Sequence, residues 1–137
     1  MGRHLARKVA EFGNEVLIMD EPAAGLDPAG RKTILELIRN YREKTGSTVI
    51  IVSHSMEDVA SVAERIVVLN KGKIAFNDTV DEVFSHEAEL REMGLNIPQI
   101  TRIFSELRNY GYNLNASTYT VDDAVKEILA YFHKGGN

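Results

Sequence analysis

Hydrophobic positions along this chain change their period several times, and each change marks an element. "RHLARKVAEF" sets Leu5, Val9 and Phe12 on one helical face with Ala6 and Ala10 beside them, and Gly13 supplies a stop. "VLIMD" then runs apolar on both sides, which predicts a strand buried on both faces of a parallel sheet. Asp27 followed by Pro28 predicts a helix start, with Ile34, Leu37, Ile38 and Tyr41 as the buried stripe and Gly46 as the end. "TVIIVS" is a second apolar strand closed by His54, and a helix follows from Ser55 with Asp58 completing a capping box. "RIVVLNKGKIAF" reads as two strands around the tight turn Lys71-Gly72. Strands alternating with helices predict an α/β class, with the first two strands parallel.

The pattern becomes purely helical after residue 78. Thr79 and Glu82 form a capping box for a short helix. Ile100, Ile103, Phe104 and Leu107 make one stripe; Val121, Ala124, Val125, Ile128, Leu129 and Phe132 make another, started by Thr120 and Asp123. The polar loop "GYNLNAST" separates them, and the terminal "KGGN" reads as a disordered tail. The expected division is residues 1–78 as an α/β unit and 79–137 as a small helical domain whose stripes form its own core.

Composition adds limits. The 137 residues hold one modest domain, or part of one with an appendage. At 44% hydrophobic and 26% charged the chain is ordinary for a globular protein, and a net charge of −4 gives no general attraction to nucleic acid or to an acidic membrane face. Without cysteine there is no disulfide or thiolate metal site, which fits a reducing cytoplasm. "MGRHLARKVAEFGNE" lacks the apolar core of a signal peptide, and "VIIV" is far too short to span a bilayer. Any link to a membrane is expected to run through a partner.

The chemistry concentrates at two strand ends. "VLIMDEPAAGLD" runs an apolar strand straight into Asp20 and Glu21, and an isolated buried carboxylate is costly unless it is paired, bound to a metal or facing a cleft. In open parallel sheets ligands sit beyond the carboxyl ends of strands, so Asp20-Glu21 and Ser53-His54 would share one crevice if their strands are neighbours. A strand-end carboxylate suits Mg²⁺; a second one polarises an attacking water; a histidine beside them hydrogen-bonds a phosphate or that water. Plainer readings stand beside these. Asp20-Glu21 alone could be a strand-to-loop transition, Asp27 is a good helix cap in any case, and His54 could be structural.

Taken together, "VLIMDEPAAGLD" resembles the Walker B motif, catalytic glutamate and D-loop of ABC-type ATPases, and "VIIVSHSMEDV" resembles their H-switch strand and helix. "RIVVLNKGKIAFNDTVDEVF" is similar to the hairpin and short helix that follow in that family. "MGLNIPQITRIFSELRNYGYNL…TVDDAVKEI" is similar to the C-terminal domain of the ATPase subunits of energy-coupling-factor transporters, importers of vitamins and metals such as cobalt. The resemblance covers about residues 15–133. It implies a partial P-loop NTPase-type parallel sheet with flanking helices, plus a helical accessory domain. It also implies roles: Asp20 at the Mg²⁺ site, Glu21 as general base, Asp27 as the D-loop aspartate reaching across a dimer, His54 as the switch histidine and Ser53 beside it at the nucleotide. Implied partners are a second ATPase subunit and a transmembrane coupling subunit, at the inner face of the cell membrane.

The phosphate cradle G-x-x-x-x-G-K-[ST] is not in this sequence, whose one Gly-Lys pair, Gly72-Lys73, is followed by Ile74. The single glutamine, Gln99, lies in the helical part, so no Q-loop is present, and the LSGGQ-type signature is also missing. The chain therefore corresponds to the C-terminal half of such an ATPase: Mg-ATP belongs to the parent protein and none is expected tightly bound here. The competing reading is a non-enzymatic assembly or dimerisation module, or an engineered α/β fragment. A homo-oligomer is expected from its uncovered faces.

Overall fold

The computed structural model describes residues 16–133. The helix expected over residues 3–12 and the tail "KGGN" lie outside the described residues.

Strand β1 (Val16–Asp20) pairs in parallel with β2 (Thr48–Val52), in a register running from Val16↔Thr48 to Asp20↔Val52. Helix α1 (Pro28–Thr45) connects them, and α2 (Met56–Val62) follows β2. Both ends of α1 are where the sequence places them. The Asp27 side chain accepts the Gly30 N–H at 2.8 Å with Pro28 behind it, and Gly46 closes the helix at φ 66°, donating its N–H to Arg42 C=O. That left-handed conformation suits glycine because it has no Cβ to clash. The buried stripe is Ile34, Leu35 and Ile38, with Leu37 and Tyr41 only half-buried, so the apolar face is rotated by one residue from the expected one.

The strands depart from the expectation of burial on both faces. Met19, Val49 and Ile51 pack against the α1 stripe together with Ala23, Leu26 and Val62, and Leu17 on the same face is buried. Val16, Ile18, Ile50 and Val52 on the opposite face are exposed, Ile18 at 68%. The strand sequence is written for two covered faces, and α1 covers one. Full burial of a valine or isoleucine is worth about 1.5–3 kcal/mol, so this second face holds a large unrealised stabilisation.

The chain divides into two compact units between Val62 and Ala63, upstream of the change in character expected near residue 79. The second unit starts with an antiparallel hairpin of β3 (Arg65–Asn70) and β4 (Lys73–Thr79), turned by Lys71 and Gly72 at φ 49° and 74°. Two consecutive positive φ angles match the twist of the strands they join. Ile66 and Val68 point to the buried side, and α3 (Val80–Ser85) lies against both strands, burying Val80, Val83 and Phe84. Thr79 caps α3 by accepting the Glu82 N–H at 3.3 Å. The hairpin thus groups with the helices because α3 supplies its core.

Among the described residues three further helices follow in this unit: α4 (Glu87–Glu92), α5 (Gln99–Asn109) and α6 (Val121–His133). Phe104 of α5, Leu114 and Ala124 of α6 form a core cluster with Ile100, Leu107 and Tyr131 packed on it. The loop read as polar contributes Leu114 and buried Thr118, whose hydroxyl donates to Asn115 C=O and whose carbonyl accepts from Thr101 Oγ1. The α6 stripe is a correction to the expected self-contained core. Ala124 is buried, while Val121, Val125, Ile128, Leu129 and Phe132 are exposed and Tyr131 is half-buried. Ala124 and Tyr131 stand two turns apart on one edge, and only that edge meets the core. On α5, Ile103 of the other expected stripe is likewise exposed.

Candidate functional site

Glu21 leaves β1 in an unusual conformation. Its N–H donates to Val52 C=O at 2.8 Å, extending the ladder by one bond, and its φ of 46° then turns the chain sharply. Ala24 N–H closes the turn on Glu21 C=O at 3.0 Å. A non-glycine residue held at positive φ costs on the order of 1–3 kcal/mol, and such residues cluster at functional sites.

The turn delivers the Glu21 carboxylate to the end of β2. Oε1 accepts the His54 backbone N–H at 2.9 Å and lies 2.6 Å from His54 Nδ1; Oε2 accepts the Ser53 hydroxyl at 3.3 Å. Ser53 Oγ in turn accepts the Ser55 N–H at 3.1 Å. The hydrogen bond from the His54 ring, helped by its backbone N–H, its charge and the Ser53 hydroxyl, holds the Glu21 carboxyl below its ordinary range against the opposing effect of partial burial. At neutral pH Glu21 is a carboxylate. With three donors on about four lone-pair positions, it keeps room for one more proton donor, such as a water.

Of the residues singled out in the sequence, Glu21, Ser53 and His54 are brought into one hydrogen-bonded cluster. Asp20 stands exposed beside them at the last register pair of the sheet. Among the described residues no hydrogen bond joins Asp27 to the cluster; its carboxylate serves the N-terminus of α1. That cap is tight, since a Cβ on Gly30 would sit 2.7 Å from Asp27 Oδ1. Among the described residues no group of three His, Cys, Asp or Glu side chains gathers into a metal cage.

Sequence reasoning missed Arg31. Its Nη2 lies 2.7 Å from Asp58 Oδ2 and 3.1 Å from Ser55 Oγ, so it ties the first turn of α1 to the first turn of α2. The expected capping box is therefore half made. Ser55 Oγ accepts the Asp58 N–H at 3.3 Å, but the Asp58 carboxylate turns to Arg31 while the Ser55 N–H goes to Ser53. The available signal was an arginine four residues after one helix cap and an aspartate three residues after another, at neighbouring strand ends.

Comparison with known proteins gives this arrangement a setting. Residues 4–59 match the family profile described as "AAA domain, putative AbiEii toxin, Type IV TA system", a stretch that includes both strand ends. The chain is 46% identical over 115 residues, 84% of its length and 40% of the relative's, to the Energy-coupling factor transporter ATP-binding protein EcfA2 of Clostridium perfringens. It is 44% identical over 122 residues to the EcfA2 protein of Clostridioides difficile, covering 88% of this chain and 42% of that one. The solved structure of cbiO1 from Clostridium perfringens, described as part of the ABC transporter complex cbiONQ, matches with a TM-score of 0.50 at 32% identity, over 66% of this chain and 36% of that one. The chain spans about two fifths of the length of the curated relatives it matches. The small parallel sheet with flanking helices is that of the ABC ATPase fold.

Proposed function

We propose, from the homology of this chain to the ATP-binding subunits of energy-coupling-factor transporters, that its two strand ends form the water-activating half of an ATP-hydrolysing site that drives transport. The observation that carries the reading is the Glu21 carboxylate, ionised and fixed from both oxygens by Ser53 and His54 with one acceptor position left open. Glu21 accepts a proton from the attacking water as general base. His54 orients that carboxylate through its backbone and ring nitrogens, and its exposed ring is available to a phosphate.

The donor set beside Glu21 fits a magnesium ion that arrives with a nucleotide. Mg²⁺ takes one or two carboxylates and fills its remaining positions with phosphate oxygens and water, and Asp20 offers one exposed carboxylate. When bound, the ion neutralises charge on the phosphates. The sequence carries no backbone cradle for those phosphates. Tight Mg-ATP binding and turnover therefore belong to a protein that also contains the cradle, with a metal ion or a vitamin as the transported solute. In such a complex the chain works at the inner face of the membrane, with a second ATPase subunit and a transmembrane coupling subunit.

The experiment is a pair of hydrolysis measurements. This chain alone is expected to show no ATP hydrolysis above its Glu21→Gln variant at millimolar ATP. In a protein that joins these residues to a phosphate cradle, Glu21→Gln is expected to lower kcat by about 10²–10⁴-fold with ATP binding retained. Near-normal turnover in that variant would remove Glu21 from the role of base.

A further inference from the structure

We infer that Arg31 is a positioning residue for the Glu21–His54 pair, acting from the first turn of α1 through a relay of hydrogen bonds. The relay starts beside Asp27, whose carbonyl accepts the Arg31 N–H at 2.9 Å. The Arg31 guanidinium holds Ser55 Oγ at 3.1 Å and Asp58 Oδ2 at 2.7 Å. Ser55 then donates its N–H to Ser53 Oγ, and Ser53 donates its hydroxyl to Glu21 Oε2. Each link restrains the next: with the Ser55 N–H on one lone pair of Ser53 Oγ, the Ser53 hydrogen is turned away from Ser55 and toward Glu21.

Burial and chemistry favour this role over a simple surface ion pair. The Asp58 side chain is 13% exposed and that of Arg31 39%, so their contact is partly shielded from solvent. Both contacts leave one nitrogen, Nη2, whose two hydrogens lie in the fixed plane of the guanidinium and so point at the hydroxyl and the carboxylate in set directions, which a freely rotating lysine ammonium does not impose. The same two helices are also tied at a second place, where the Arg39 guanidinium donates to Ser61 C=O. Among the described residues no hydrogen bond leads from that tie toward Ser53. Arg31 and Arg39 therefore separate two effects, aiming the pair and simply holding the helices together.

This inference concerns the pair that the proposed function uses, and it is tested without nucleotide, so loss of one leaves the other standing. The readout is the ring tautomer of His54, by two-bond ¹H–¹⁵N correlation on the labelled full chain at pH about 8, where an ordinary imidazole is neutral. The wild type is expected to show the Nδ1-protonated form, because Glu21 Oε1 accepts at that nitrogen. Arg31→Gln is expected to lose that form in favour of the mixture seen for a free histidine, Arg31→Lys to restore it in part, and Arg39→Ala to leave it intact. Ser55→Ala breaks the Arg31–Ser55 link from its other end, removing the hydroxyl while keeping the Ser55 N–H, and decides the matter by the same loss if Arg31→Gln does not fold. An unchanged tautomer in these relay variants, or an equal loss in Arg39→Ala, overturns the inference.

Discussion

His54 Nδ1 lies 2.6 Å from Glu21 Oε1, joining two residues 33 positions apart in the chain. The parallel register makes this possible. Asp20 and Val52 are the last pair of the sheet, so the residues that follow each strand emerge side by side. The positive φ of Glu21 then folds its carboxylate across to the neighbouring strand end.

The pair sets an acid limit on the first unit. Glu21 titrates below its ordinary 4.5 in the folded chain, chiefly through the His54 ring. A carboxyl depressed on folding contributes stability above the unfolded value and loses it as pH falls through the folded one. The stabilisation is thus expected to be complete above about pH 4.5 and to fade below it. Carboxyl ¹³C titration should place the Glu21 midpoint below that of a free glutamate, and His54→Ala should return it upward. An identical midpoint in both proteins would show that the contact does not form in solution.

His86 works in the opposite sense in the second unit. Its Nδ1 is 3.0 Å from Glu89 Oε1, its Nε2 is 3.7 Å from Glu82 Oε1, and its ring stacks at 4.8 Å on Phe76. Glu89, as the main cause, raises the pKa of the imidazole above 6.5. The stability it adds is full below 6.5 and is lost as pH rises through the folded value. Proton NMR titration should find His86 above 6.5, and Glu89→Gln should lower it. A midpoint at or below 6.5 in the unaltered chain would contradict the ion pair.

Two phenylalanines should respond in opposite ways to truncation. Phe104 is 1% exposed at the centre of the helical core, and Phe104→Ala is expected to cost about 3–5 kcal/mol by denaturant unfolding. Phe132 is 71% exposed, and Phe132→Ala should change the stability of the monomer by less than about 0.5 kcal/mol. Similar costs at both positions would mean that α6 buries the stripe it exposes here.

That stripe is the ground for expecting self-association. Val121, Val125, Ile128, Leu129 and Phe132 present a row of apolar side chains on one helix, and the uncovered sheet face of Val16, Ile18, Ile50 and Val52 presents another. A homodimer through one of these faces is the expected state at micromolar concentration, measured by light scattering. Phe132→Asp should return the chain to monomer if α6 is the interface and leave the dimer intact if the sheet is. A monomer at every concentration would refute the expectation.

The sequence by itself determined the elements that local physics governs. Pro28 behind Asp27 and Gly46 at the far end bounded α1, Lys71-Gly72 turned the hairpin, and Thr79 with Glu82 started α3, because caps and tight turns depend on residues within four positions of one another. It also brought Glu21, Ser53 and His54 forward together, since apolar strands ending in polar groups imply a shared edge once they pair in parallel. Tertiary structure alone decided three things. The positive φ of Glu21 depends on its bonds to Val52 and His54, which no local signal encodes. The role of Arg31 depends on two helix starts meeting, and their residues are 27 positions apart. The exposure of Ile18 and Phe132 depends on how many elements arrive to cover a face, and periodicity gives the direction of an apolar stripe but not its partner.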